Sequence, residues 1–137
     1  MRVFFDSSAF AKRFIEESGS QEIENICQKT SELGLSIICY PEIVSALNRR
    51  LREKSITKSD YLLVKHRLSE ELADIQIINI TSEVVALSGI LLETNILRAM
   101  DAIHIACAIE WKPDLFVTSD HRQGKAAKKA KLKTQIQ

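Results

Sequence analysis

Four short and almost continuously apolar runs divide this chain: VFF at 3–5, LSIICY at 35–40, IQIINI at 75–80 and LFV at 115–117. A strand with one wet face alternates polar and apolar residues. All four read as strands, and the continuous ones, such as LSIIC and LFV, fit a sheet covered on both faces. Stretches with helical spacing lie between them. Strands that alternate with helices build a parallel sheet with helices packed on both sides. The expected fold is therefore α/β, a three-layer α/β/α arrangement around a central, mostly parallel sheet.

The helical stretches carry their own start signals. Ser7 or Ser8 suits the cap of a helix over AFAKRFIEE, and Ser18 with Gln21 has capping-box spacing before Ile23, Ile26 and Cys27. Gly34 reads as a break before the second strand. Pro41 reads as the start of a helix whose stripe is Ile43, Val44, Leu47 and Leu51. Thr57 and Asp60 open another helix over 57–72, and SEVVALSGILLETN is a further one. MDAIHIACAIEW, at 100–111, is apolar on nearly every side except Asp101, His104 and Glu110, as expected of a helix buried on several faces. A basic helix follows the last apolar run, and KTQIQ is expected to add a short edge strand.

At 137 residues the chain suits a single domain, 1–137, with one core and no need of disulfides. Its three cysteines, Cys27, Cys39 and Cys107, lie far apart among apolar residues and read as small buried hydrophobes. No apolar run approaches the roughly 18 residues that span a bilayer, and Asp6 interrupts the start, so neither membrane nor signal peptide is expected and the cytoplasm is the expected location. The net charge is only +1, but basic residues cluster. One group is Arg49, Arg50 and Arg52. The other runs from Arg122 through Lys125, Lys128, Lys129 and Lys131 to Lys133 without an acid. Such clusters hold phosphates, and they also occur on solvated helix faces.

Ligands of parallel sheets bind outside the carboxyl ends of the strands. Four acids fall at such places. Asp6 ends the first run, Glu42 sits just inside the helix after the second, Asp120 follows the last, and Asp101 opens the buried helix. Each alone suits a cap, a turn or the first turn of a helix dipole. Gathered in one cleft, four carboxylates would repel and would need protons or a cation. Oxygen ligands without a histidine or thiolate cluster suit Mg²⁺ or Mn²⁺ rather than zinc. Such an ion serves phosphoryl chemistry. No glycine-rich phosphate loop and no G-x-S-x-G elbow occurs.

VFFDSSAFAKRF, YPEIVSALNRR, LRAMDAIHIACA and LFVTSDHRQGKAAKKA, in this order and in a chain of this size, resemble the PIN-domain family, and within it the VapC-type toxins of toxin–antitoxin systems. The resemblance spans nearly the whole chain, and the third piece is the most specific. It implies a metal-dependent endoribonuclease, with Asp6, Glu42, Asp101 and Asp120 as metal-ligating and catalytic residues and Mg²⁺ or Mn²⁺ as cofactor. Supporting polar roles fall to Ser7 and to Thr118 or Ser119. His104, one helical turn after Asp101, is expected to be structural, the alternatives being a hydrogen bond within the acidic cluster or contact with substrate. RNA is the implied substrate, a cognate antitoxin and a second copy of the chain the implied partners. Arg49, Arg50, Arg122, Lys125, Lys128 and Lys129 are the candidate RNA-binding residues. Two departures stand out: Lys131–Leu132 replaces a frequent Gly-Leu, and Gln123 and Gly124 stand where some members have another acid. The alternative is a PIN-like binding or assembly module that does not cut. A phosphatase with Asp6 as nucleophile would want a second acid close by, where Ser7 and Ser8 stand.

Overall fold

The computed structural model describes residues 1–137. Strand β1 (Arg2–Phe5) runs into α1 (Ser7–Phe10) and a 3₁₀ turn over Ala11–Arg13, then α2 (Ser20–Gln28). Next come β2 (Glu32–Ser36), α3 (Cys39–Arg52), α4 (Lys58–Leu72), β3 (Gln76–Ile78), α5 (Ser82–Thr94) and α6 (Ala99–Trp111). Strand β4 (Leu115–Thr118), α7 (His121–Lys129) and β5 (Thr134–Ile136) complete the chain. The strands lie in the order β3-β2-β1-β4-β5, and every pairing is parallel.

Both faces of the central strands are covered, as their apolar runs require, whereas the edge strand β3 leaves Gln76 and Ile77 exposed. Val3 and Phe5 point to one side, where they pack with Phe10, Ile23, Leu35, Ile43, Leu47 and Leu68 from α1 to α4 and β2. Phe4 points to the other, against Val84, Ala102, Ile105 and Ala126 from α5, α6 and α7, with its ring stacked on Phe116 at 6.0 Å. Successive side chains of a strand face opposite ways, so three apolar residues in a row feed two separate cores. Helix α6 is buried nearly all round, from Ala102 to Ala108, in line with its composition. Cys39 and Cys107 are buried, Cys27 is half-buried, and all three are free thiols.

Chain order reverses at β1. From there the chain moves outward through β2 to β3, and β4 returns to the other side of β1 before β5 extends that side. The crevice between the carboxyl ends of β1 and β4 is thus the switch point at which such sheets bind ligands. The amide of Asp6 still donates to the Val117 carbonyl at 3.1 Å, so β1 and β4 stay zipped to the edge of the crevice.

Several boundaries differ from the sequence expectation. The first helix is only α1 plus one 3₁₀ turn, and Asp6 caps it in place of Ser7 or Ser8, accepting from the Ala9 amide at 2.9 Å. Helix α2 starts at Ser20 after Gly19 in the left-handed region (φ 92°), so Ser18 and Gln21 form no capping box. Strand β2 lies at 32–36 rather than 35–40. Gly34 sits inside it, because the Trp111 ring lies where a Cβ would be, 2.9 Å away. The apolar residues Ile38, Cys39 and Tyr40 belong to the start of α3, two residues of which precede Pro41. No helix is long and apolar enough to cross a membrane.

Candidate active site

Asp6 follows β1 directly, and its carboxylate has no exposed surface. The Ser8 hydroxyl donates to both of its oxygens at 2.8 Å, the Ala9 amide to Oδ1, and the Thr118 hydroxyl to Oδ2 at 2.6 Å. Thr118 in turn accepts from the Asp120 amide at 3.0 Å. The end of β4 is therefore tied to the end of β1 through a carboxylate. Burial pushes the Asp6 carboxyl above its ordinary range; the neighbouring His104 and these hydrogen bonds offset that only in part.

Asp120 is the N-cap of α7, its Oδ1 accepting from the amides of Arg122 (2.8 Å) and Gln123 (3.4 Å). Oδ2 has no protein donor. Asp101 stands in the first turn of α6, nearly buried. Its Oδ1 accepts from the Gln123 side-chain amide at 3.0 Å, and Oδ2 lies 3.4 Å from the Arg98 amide and 3.7 Å from the Arg98 guanidinium.

Glu42 comes from the first turn of α3 and meets α1 and α6. The Ser7 hydroxyl donates to its Oε1 at 2.6 Å, and His104 Nε2 lies 2.5 Å from the same oxygen and 3.0 Å from Ser7 Oγ. A carboxylate oxygen only accepts, so Nε2 carries a proton. Nδ1 of His104 is buried without a partner. Burial raises the Glu42 pKa, yet the hydrogen bonds from His104 and Ser7 and the attraction of His104 and Arg98 outweigh it and hold the carboxyl below its usual range. Two carboxyls in one site are thus pushed in opposite directions by their surroundings.

All four acids line one cavity of about 310 Å³, together with Ser7, Ser8, His104, Gln123 and the cations Arg49 and Arg98. The sheet and helices bring them there from four elements far apart in sequence. No three of the acidic, imidazole or thiol groups stand close enough together to hold an ion as they are arranged. The donor set nonetheless fits a hard divalent cation. Its ligand atoms are carboxylate oxygens, Asp120 Oδ2 and Glu42 Oε2 accept nothing from the protein, and the buried Gln123 Oε1 has no partner. Magnesium retains several waters and needs only one or two carboxylates from the protein, so a ready-made cage is not required.

The remaining sequence candidates separate. Ser7 and Thr118 hold Glu42 and Asp6, while Ser119 joins the rim through its amide, which donates to Ser8 Oγ at 3.1 Å. Arg49 lines the acidic cavity, whereas Arg50 turns away to Glu17, 3.8 Å distant. Arg122, Lys125 and Lys129 line a second cavity, and Lys128 lies outside it. Sequence reasoning missed Ser8, Arg98 and Gln123 as parts of the site. Gln123 had one available signal, its place one helical turn after Asp120.

The PIN domain profile matches residues 3–129. Two curated proteins of Mycobacterium tuberculosis, ribonuclease VapC45 and ribonuclease VapC49, are each 29% identical over 107 residues, covering 78% of this chain and 74% of their own. Among solved structures, a toxin–antitoxin complex from Klebsiella pneumoniae is similar with a TM-score of 0.67 at 20% identity, covering 88% of each chain. VapC20 of M. tuberculosis, described as a sarcin–ricin loop cleaving toxin, gives 0.70 at 14% identity over 90% of this chain and 94% of its own. FitAcB from Neisseria gonorrhoeae gives 0.72 at 13% identity over 96% and 95%.

Proposed function

This chain belongs to the PIN-domain family, and on that premise we propose that it is an endoribonuclease that hydrolyses RNA phosphodiester bonds in the acid-lined cavity and acts as the toxin of a toxin–antitoxin pair. The observation that carries the reading is the convergence of Asp6, Glu42, Asp101 and Asp120 on one cavity at the switch point of the sheet. The two relatives named as ribonucleases support the reaction class, and the complexes among the structural neighbours support an antitoxin partner. We further propose a cytoplasmic homodimer in its active state.

The four carboxylates are the proposed ligands of Mg²⁺ or Mn²⁺. When bound, such an ion supplies an activated water and neutralises phosphate charge. The chain's own groups do the rest. Asp6 is locked in place by Thr118, Ser8 and the Ala9 amide, so its position costs nothing to establish when substrate arrives. Ser7 and His104 fix Glu42 through Oε1 and keep it ionised, which leaves Oε2 free for the ion. Arg49 and Arg98, which line the same cavity, attract and orient the phosphate. Gln123 holds Asp101 against the mouth of the cavity.

The test is cleavage of a mixed pool of transfer, ribosomal and messenger RNA by wild type and by Asp120→Asn. Wild type should cut only with a divalent ion, and the variant should be slower by about 10²–10⁴-fold. Equal cutting by both would remove the reaction from this cavity. The toxin role is tested separately, by whether the product of the neighbouring reading frame co-purifies with the chain and blocks cutting.

A further inference from the structure

Helix α7 presents Arg122, Lys125, Ala126 and Lys129 at i, i+3, i+4 and i+7 spacing, a single stripe about 10 Å long. That stripe forms one wall of the second cavity, of about 550 Å³. The opposite wall is the end of α5 and the loop after it, with Glu93 as its one acid and Thr94, Asn95 and Ile96 beyond. Lys129 Nζ donates to the Thr94 carbonyl at 2.8 Å and ties the two walls together. Arg122 and Lys125 form no ion pair, and the Ile96 side chain is 82% exposed. Three cations facing a single acid, beside a bare aliphatic surface, form an arrangement that favours a phosphate next to a flat apolar group.

The cavity is also joined to the acidic one. Arg122 belongs both to it and to a depression lined by Arg98, Asp101, Ser119, Asp120 and His121. Arg98, Asp101 and Asp120 in turn line the acidic cavity. The Ser119 hydroxyl, along this path, is buried and has no protein partner. The three depressions therefore adjoin one another through shared lining residues, with the acids gathered at one end and the cations of α7 at the other.

We propose that the α5–α7 cavity is a nucleotide subsite for single-stranded RNA flanking the scissile phosphate. Arg122 and Lys125 take backbone phosphates, and a base lies on Ile96 within reach of the polar groups of Thr94 and Asn95. This rests on the ribonuclease reading and adds to it the path of the strand. An acidic protein segment would also meet the cations. The adjacency to the acidic cavity favours the nucleic acid, whose strand must run out of that cavity.

The experiment measures binding of a labelled single strand of about twenty nucleotides to the Asp6→Asn protein, which leaves the strand uncut, as a function of salt. In that background, Arg122→Ala with Lys125→Ala should weaken binding about tenfold or more and lower the salt slope by about 1.4, near 0.7 for each phosphate no longer neutralised. Ile96→Thr should weaken binding with the slope unchanged, because it removes no charge. Lys128→Ala, which takes the same charge from outside the cavity, should change affinity by less than about twofold. In the cutting-competent chain the double variant should raise KM more than it lowers kcat. A Lys128→Ala effect as large as that of Lys125→Ala would reduce the cavity to general electrostatics and overturn the proposal. So would polyglutamate binding that is lost in the double variant while RNA binding is not. If wild type cuts RNA and the double variant binds as tightly as its parent, only the subsite falls. If wild type neither cuts nor binds RNA, the ribonuclease reading falls with it.

Discussion

Asp6→Ala should destabilise the fold and Asp6→Asn should not, because the buried carboxylate does two jobs. As N-cap of α1 it accepts from the Ala9 amide, and it also receives hydroxyl donors from Ser8 and Thr118. Alanine removes all of these acceptors. Loss of the cap costs about 0.5–2 kcal/mol. Each buried donor left without a partner costs about 1–3 kcal/mol more. Relief of the buried charge offsets part of this, so a net loss of about 2–4 kcal/mol is expected for Asp6→Ala. Asparagine keeps Oδ1 for the Ala9 amide and is as good a cap. The Thr118 hydroxyl can turn to accept from the new amide. What disappears is a carboxylate whose ionised form burial disfavours. Its folded pKa is raised, so the folded chain binds more protons than the unfolded one between the unfolded value, near 3.9, and the folded value. Wild-type stability should therefore fall as pH rises through that window. Asp6→Asn should lack this fall and be equally or more stable at neutral pH. Urea unfolding in a chelator, from pH 4 upward, measures the effect. Added Mg²⁺ should reverse the order, since ligand that binds only the folded state stabilises it, and the asparagine variant should gain less. An Asp6→Asn protein unfolded at neutral pH, or a wild type whose stability rises through the same window, would refute the account of this carboxylate.

Glu42 should titrate with the opposite sign. Its folded pKa is lowered, so the stability it contributes is present above the unfolded value and is lost as pH falls through the folded one, a loss absent from Glu42→Gln in acid denaturation curves. His104→Ala should remove this behaviour too, and should slow cleavage because Glu42 is no longer fixed, with kcat falling more than KM rises. Gly34→Ala would set a Cβ 2.9 Å from the Trp111 ring and should cost about 1–3 kcal/mol in urea unfolding; an unchanged midpoint would show that the ring moves freely. Burial pushes the Cys27 thiol up to about 11 and Cys39 to about 12, and raises Cys107 as well, so a thiol reagent at neutral pH should label the folded chain slowly and all three cysteines after denaturation.

The runs VFF and LFV were legible as central strands because only a sheet covered on both faces tolerates three apolar side chains in a row. The acids beyond them were legible because strand ends are where such sheets place ligands. The second run misled for a physical reason. Ile38, Cys39 and Tyr40 are as apolar as a strand, yet they open α3, and hydrophobicity alone does not separate a buried strand from a buried helix start. Gly34 resembled a breaker, although its lack of a Cβ serves a ring from α6, a packing visible only in three dimensions. The pairing of β1 with β4 sets the crevice, and nothing local in either strand encodes it. Ser8 was missed for the same reason, since a serine in a helix start carries no signal until the chain brings it against Asp6; Gln123 had its place one turn after Asp120 as a signal, but its bond to Asp101 is visible only in three dimensions.

The central claim is that the cavity, and Asp6 within it, cuts RNA. The most direct measurement is cleavage of single-stranded RNA by wild type and Asp6→Asn, purified identically, both shown to be folded, with and without Mg²⁺ or Mn²⁺. The account predicts cutting by wild type only with the metal. It also predicts a loss of about 3–5 kcal/mol of transition-state stabilisation in Asp6→Asn, roughly 10²–10⁴-fold in rate. Equal cutting by the two proteins, or no cutting of any RNA by wild type with either metal, would contradict it.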